Sequence, residues 1–196
     1  PGGVTSSVIV IGTSRIGDLD RTLTGLAAQT LRPDSYQVVV VDTSAEHVCA
    51  PVVARFAPRF QNFKHLRAEG TDWIDGWNSA VAAADGGVFV VVGEGVRPLP
   101  TFLENLLRPF RDADTLLAMP RVLPGFDKTP SNWLGGMLSP AGGGWRLEAY
   151  GCVDPGEEEV SLRATEASAD CFAISRELLE RCSGPHPGDT SLERLQ

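Results

Sequence analysis

The chain has 196 residues, 42% hydrophobic and 21% charged, which suits a water-soluble fold with one substantial core. Its formal charge of −8, with no basic run, excludes the phosphate neutralisation on which nonspecific nucleic-acid binding depends. No apolar stretch approaches the roughly 20 residues needed to cross a bilayer and no signal peptide is recognisable, so the expected setting is cytoplasmic.

Ser7 to Ile11 is a short apolar run ending in Gly12, and it reads as a central parallel strand. A helix is expected from about Asp18, read as its N-cap, with Leu19, Leu23, Leu26 and Ala27 on one stripe. Val38 to Val41 is the second strand, closed by Asp42-Thr43-Ser44. Val52, Val53, Phe56 and Phe60 give the next helical face, and Phe63 to Ala68 a weaker third strand. Trp73, Ile74, Trp77, Ala80, Val81 and Ala84 recur at helical spacing, which assigns both tryptophans to the core. The β-branched run Val88 to Val92 then enters the turn Gly93-Glu94-Gly95. Phe102, Leu103, Leu106, Leu107 and Phe110 mark a further helix, and Thr115 to Met119 a fifth strand stopped by Pro120. Strands and helices alternating over short connections predict an α/β fold, a mainly parallel sheet with helices on both faces.

Beyond Pro120 the pattern fails. Residues 123–144 are rich in Gly and Pro around Trp133, with Trp145 just beyond, and 151–159 form an acidic, turn-rich insert. The expectation is an irregular C-terminal half in which an aromatic plane stacks on a sugar or anchors a loop. Order returns at Ala167 to Ser175 as a strand, then at Arg176 to Cys182 as a short helix closed by Gly184. Asp189 is placed to cap a last helix carrying Leu192 and Leu195. A chain that opens Pro1-Gly2-Gly3 and stops at Leu195-Gln196 within that helix reads as a single domain excised from a longer protein, through which alone it would meet a membrane.

Thr13, Asp42 and Glu94 each follow a predicted strand. In a parallel sheet such ends share one edge, so residues distant in sequence converge on a single crevice. Against this stands the turn reading, because an Asp after a strand is often only a cap or turn residue. Neither a phosphate loop nor a G-x-G-x-x-G fingerprint is present, which disfavours P-loop hydrolysis and dinucleotide redox chemistry. His47, His65 and His186 have no triad or metal spacing, and the wide spacing of Cys49, Cys152, Cys171 and Cys182 disfavours zinc.

The stretch SSVIVIGTSRIGDLDRTLTGLAAQTLRPDSYQVVVVDTS resembles the opening of the family-2 glycosyltransferases, with Leu26, Gln29, Thr30 and Asp42 fitting the family pattern. The likeness continues through Gly76-Trp77-Asn78-Ser79-Ala80 and Ala84-Asp85-Gly86-Gly87 to Cys171–Glu177 and Gly188-Asp189-Thr190-Ser191-Leu192. It implies a GT-A fold with a nucleotide-binding half over 1–120 and an acceptor-side half over 121–196. The implied donor is a UDP- or GDP-linked sugar and the implied acceptor a glycan or lipid-linked molecule, as in cell-envelope polysaccharide synthesis. Thr13, Asp42, Asn78 and Glu94 are implied to hold the donor and Asp189 to act as general base. Where the family carries Asp-x-Asp for Mg²⁺ or Mn²⁺, this chain has Gly93-Glu94-Gly95, which leaves Glu94 as the metal residue. Gly12-Thr13-Ser14-Arg15 stands in the place of Pro-Thr-Tyr-Asn. Two functions follow from this pattern, an inverting glycosyltransferase or a non-catalytic binding or assembly module that kept the sheet and lost the metal site.

Overall fold

The computed structural model describes residues 5–126, 132–141, 144–147, 152–154, 156 and 171–182. Strands β1 (Ser6–Gly12), β2 (Tyr36–Asp42), β3 (Phe63–Arg67) and β4 (Val88–Val92) pair in parallel in the order β3-β2-β1-β4. Their apolar runs are unbroken because both faces are covered, and alternate residues serve opposite cores. Val8, Val10, Val38, Val40, Val90 and Val92 pack on one side, against α1 (Ile16–Leu26), α2 (Ala50–Phe56) and α4 (Phe102–Leu107). Ile9, Ile11, Val39, Val41, Phe89 and Val91 pack on the other, against Trp77 and Ala80 of α3 (Trp73–Ala83).

The sheet continues through β5 (Leu117–Ala118) and β9 (Cys171–Ser175), in the order β4-β9-β5. β9 runs antiparallel to both neighbours, with Phe172 opposite Val91 and Ala118 opposite Ala173. The mainly parallel sheet is therefore as expected, but the fifth strand is shorter than the expected Thr115 to Met119. Its start is taken up by a turn in which Thr115 N donates to Asp112 O, and Pro120 follows. Only the 171–175 part of the expected 167–175 strand lies among the described residues, and it leads into α5 (Arg176–Arg181), capped by Ser175. Gly184, His186 and the expected last helix, including Asp189, lie outside the described residues.

Two helical expectations are corrected. The first helix begins at Ile16 with Arg15 as N-cap, and Asp18 lies inside its first turn, where a negative charge meets the positive end of the helix dipole. Trp73 is not core. Asp72 caps α3 by accepting from Asp75 N, which leaves Trp73 in the first turn 38% exposed and stacked on the buried Trp77 at 5.6 Å.

The irregular half also holds structure the pattern did not show. A 3₁₀ segment, Asn132–Met137, precedes an antiparallel sheet of β6 (Ser139–Ala141), β7 (Gly144–Leu147) and β8 (Cys152–Asp154). Trp145 thus stands in a strand, not in a loop. Strands of three and four residues are too short to display a period of two. Leu134, Leu147 and Cys152 form their own cluster with Val122 and Trp145. No helix among the described residues is long and apolar enough to cross a membrane.

Candidate functional site

Parallel pairing brings the carboxyl ends of β1, β2 and β4 to one edge, and there the polar residues meet. Gly12 stands opposite Asp42, and Gly12 O accepts from Thr43 N at 3.0 Å. Thr13 reaches the other way, its Oγ1 donating to Glu94 Oε2 at 2.5 Å and its backbone N–H reaching both carboxylate oxygens at 3.3 Å. The Glu94 side chain is 2% exposed, and the Arg15 Nε lies 3.6 Å from Oε2. A carboxylate at the end of β4 is thus closed onto the loop that leaves β1.

The turn that carries Glu94 is fixed from α1. Thr22, fully buried, donates from Oγ1 to Val96 O at 2.8 Å and accepts from Gly95 N at 3.0 Å. Gly95 has φ +97°, a left-handed conformation that glycine adopts without steric cost. Further along, Gln29 accepts from Leu103 N and donates to Leu99 O, so α1 and the residues just after it hold the whole return from β4 to α4.

Asp42 is 1% exposed. Its Oδ1 accepts from Ser44 N at 2.8 Å and Ser44 Oγ at 2.5 Å, while Oδ2 is buried without a hydrogen-bond partner. His47 Nδ1 lies 3.9 Å from Oδ2 and also 3.2 Å from an Arg67 guanidinium nitrogen. With Arg67 donating to Nδ1, that nitrogen has no proton to give Asp42. Cys49 links the two halves of the edge: its buried thiol donates to Thr13 O at 3.0 Å. Burial first, then the Asp42 carboxylate beside it, pushes that thiol up to about 12, so it stays protonated and serves as a donor.

Of the residues singled out from sequence, Thr13, Asp42 and Glu94 converge on this edge. Asn78 stands half-buried on α3, whose first turns cross the ends of β1 and β2: a side chain at Gly76 would press on Ile11 and Thr43 at 2.9 Å. Among the described residues no hydrogen bond joins Asn78 to Thr13, Asp42 or Glu94. Asp189 lies outside the described residues. Thr22, Ser44 and Cys49 were missed. Only Ser44, two residues after Asp42 where an Asx turn is common, carried a local signal.

The donor set does not fit a hard divalent ion, which takes six or more oxygen ligands, several of them carboxylate. Glu94 is buried and already accepts from Thr13, and Asp18, whose carboxylate approaches Gly95, is bound to Arg21 at 2.8 Å. Among the described residues no group of three His, Cys, Asp or Glu side chains could hold a metal ion.

A mainly parallel sheet covered on both faces, with polar residues gathered at its strand ends, defines an open α/β domain whose candidate site lies at the carboxyl edge of the sheet. The profile of Glycosyl transferase family 2 matches residues 7–182, and the chain belongs to that family. Among solved structures it is similar to the mannosyltransferase PcManGT from Pyrobaculum calidifontis, in complex with GDP-Man and Mn²⁺, with a TM-score of 0.65 and 19% identity. That match covers 95% of this chain and 48% of the other. S. aureus TarS 1-349 is similar with a TM-score of 0.68 and 15% identity, covering 97% of this chain and 53% of that one. Its complex with UDP-GlcNAc matches with the same TM-score and identity, covering 92% and 48%. The chain therefore spans about half the length of the solved proteins it resembles. Among curated protein sequences none matches.

Proposed function

We propose that residues 1–196 form one domain that binds a UDP- or GDP-linked sugar at the edge formed by Thr13, Asp42 and Glu94 and transfers the sugar to an acceptor hydroxyl. The observation that carries this reading is the Asp42 carboxylate, nearly sealed from solvent at the end of a parallel strand with Oδ2 unpartnered. A buried charged oxygen lacking a donor is costly, and the N–H groups of a nucleobase supply one. The similar mannosyltransferase was solved with GDP-Man and TarS with UDP-GlcNAc, ligands of the class proposed.

In this reading residues 1–120 hold the donor, with Thr13, Asn78 and Glu94 beside Asp42, and 121–196 receive a glycan or lipid-linked acceptor on the cytoplasmic side. Asp189 takes the proton of the acceptor hydroxyl as its oxygen attacks the anomeric carbon. The bond from that carbon to the diphosphate oxygen breaks, the nucleoside diphosphate leaves with the electron pair, and the configuration inverts. Asp189→Asn keeps a capping side chain but cannot take the proton, so turnover should fall by roughly 10² to 10⁴ with little change in stability.

Calorimetry with UDP, GDP and their sugars tests the binding step. One base series should bind, and Asp42→Ala, checked for folding by circular dichroism, should bind it about tenfold or more weakly. Unchanged affinity in the folded variant would assign Asp42 to its turn with Ser44 alone. The burial of Glu94 against Thr13 favours a second reading, the non-catalytic binding module. A nucleotide sugar that binds and stays intact with every acceptor offered supports that reading.

A further inference from the structure

We propose that Arg15 is a built-in cation for the diphosphate of the bound nucleotide, so that this site takes a nucleoside diphosphate without a divalent metal. The inference rests on the nucleotide-binding reading above and adds how the phosphate charge is met.

Arg15 stands two residues beyond Thr13, at the N-cap of α1, with its side chain 64% exposed. Two carboxylates flank it, one from the turn after β4 and one from its own helix: Glu94 Oε2 lies 3.6 Å from Nε and Asp18 Oδ2 lies 3.6 Å from a terminal guanidinium nitrogen. Both separations are ion pairs longer than a hydrogen bond. Among the described residues the Arg15 side chain makes no hydrogen bond at all, so its donors are aimed but unspent. Three other arginines are spent on carboxylates or carbonyls. Arg21 donates to Asp18 at 2.8 Å, Arg32 to Asp34 at 3.0 Å, and Arg176 to Ala84 O at 2.8 Å.

The surroundings favour a phosphate over a metal at this guanidinium. Glu94 is buried and engaged by Thr13, and Asp18 is paired with Arg21, which weakens the pull of either carboxylate on a free cation. A dication placed here would meet the fixed positive charge of Arg15 at close range. A divalent ion's task at a diphosphate is to neutralise oxygens and hold them in place. A planar guanidinium with forked N–H donors does both, because its donor spacing matches two phosphate oxygens. The unpartnered oxygen of Asp42 belongs to the same edge, at the end of β2 where Asp42 stands opposite Gly12. Base and diphosphate would thus be met by a fixed anion and a fixed cation on neighbouring strand ends.

The test is titration of the 196-residue protein with UDP and GDP, in EDTA and in Mn²⁺, with uridine and guanosine as phosphate-free probes followed by ligand-observed NMR. The diphosphate should bind equally well in both buffers. Arg15→Gln should weaken it about tenfold or more while leaving the nucleoside unchanged, and Arg15→Lys should recover part of the loss. The side chain is exposed, so circular dichroism of both variants should match the parent. Diphosphate binding that vanishes in EDTA, returns with Mn²⁺ and is the same in Arg15→Gln would overturn the proposal and leave nucleotide binding standing. No binding of nucleoside or diphosphate in any arm would overturn both.

Discussion

Every residue of β1 and β2 is buried, whereas β7 has a single buried residue, Leu147, among its four. The parallel sheet is held by apolar surface on two faces. The small sheet leans on a three-residue cluster and on an ion pair in which Arg121 grips Asp154 with a fork, Nε to Oδ1 at 2.7 Å and a terminal nitrogen to Oδ2 at 2.8 Å. The candidate site is built wholly on the first kind of structure, which suits a task that needs polar groups held rigidly. The second kind is poor in buried surface, and such regions open locally at lower cost than the whole domain.

The largest test of this contrast compares Phe89→Ala with Leu147→Ala. Phe89 is fully buried against Trp77, and its loss should lower the free energy of global unfolding by about 3 to 5 kcal/mol, read from denaturant titration. Leu147→Ala should instead leave the main transition nearly in place and speed amide hydrogen exchange in residues 144–147. Equal shifts of the main transition by both variants would show one cooperative unit and erase the distinction.

A smaller effect should separate anchoring from burial within the parallel half. Thr22→Val keeps the shape but strips the turn of its hydroxyl, leaving Gly95 N and Val96 O without that partner. A loss of about 1 to 3 kcal/mol is expected, with nucleotide affinity falling too because Glu94 and Thr13 lose register, and Thr22→Ser should restore both. Full affinity in Thr22→Val would mean that the turn holds itself.

The smallest expected effect is one of pH. The Arg121 guanidinium, with Gly156 N also donating, holds the Asp154 carboxyl below its usual range. A carboxyl lowered in the folded state contributes fully above its ordinary value of about 4 and loses that contribution as pH falls through the lower folded value. The protection of residues 144–147, meaning exchange compared with the intrinsic amide rate at the same pH, should therefore fall below about pH 4, and Asp154→Asn should remove that dependence. Asp85 is lowered in the same direction by Lys64 and Gln37, so the readout must be local to the small sheet. Protection there that ignores both pH and the substitution would assign its hold to the Leu134, Leu147 and Cys152 cluster alone.

The parallel half was legible in sequence because its signals are local. Valine runs bury on both faces, glycines and polar turns close them, and a parallel sheet must bring Thr13, Asp42 and Glu94 to one edge whatever its details. The helix stripes on Leu19, Leu23 and Leu26 follow from the 3.6-residue period in the same way. What the tertiary structure alone decided depends on partners far apart in the chain. Thr22 holds a turn more than 70 positions away, Cys49 donates to Thr13 across 36, and Trp73 is left exposed because Trp77 already fills the space over Phe89 and Phe172. The insertion of β9 beside β4 and the short strands of the second sheet belong to the same class. Strands of three residues show no period, and a pairing across some 80 positions is fixed only when the rest of the sheet has formed its edge. The filled state of Glu94 and the unspent donors of Arg15 follow from the same cause, since each depends on how β1 and β4 meet and not on any residue beside it in the chain.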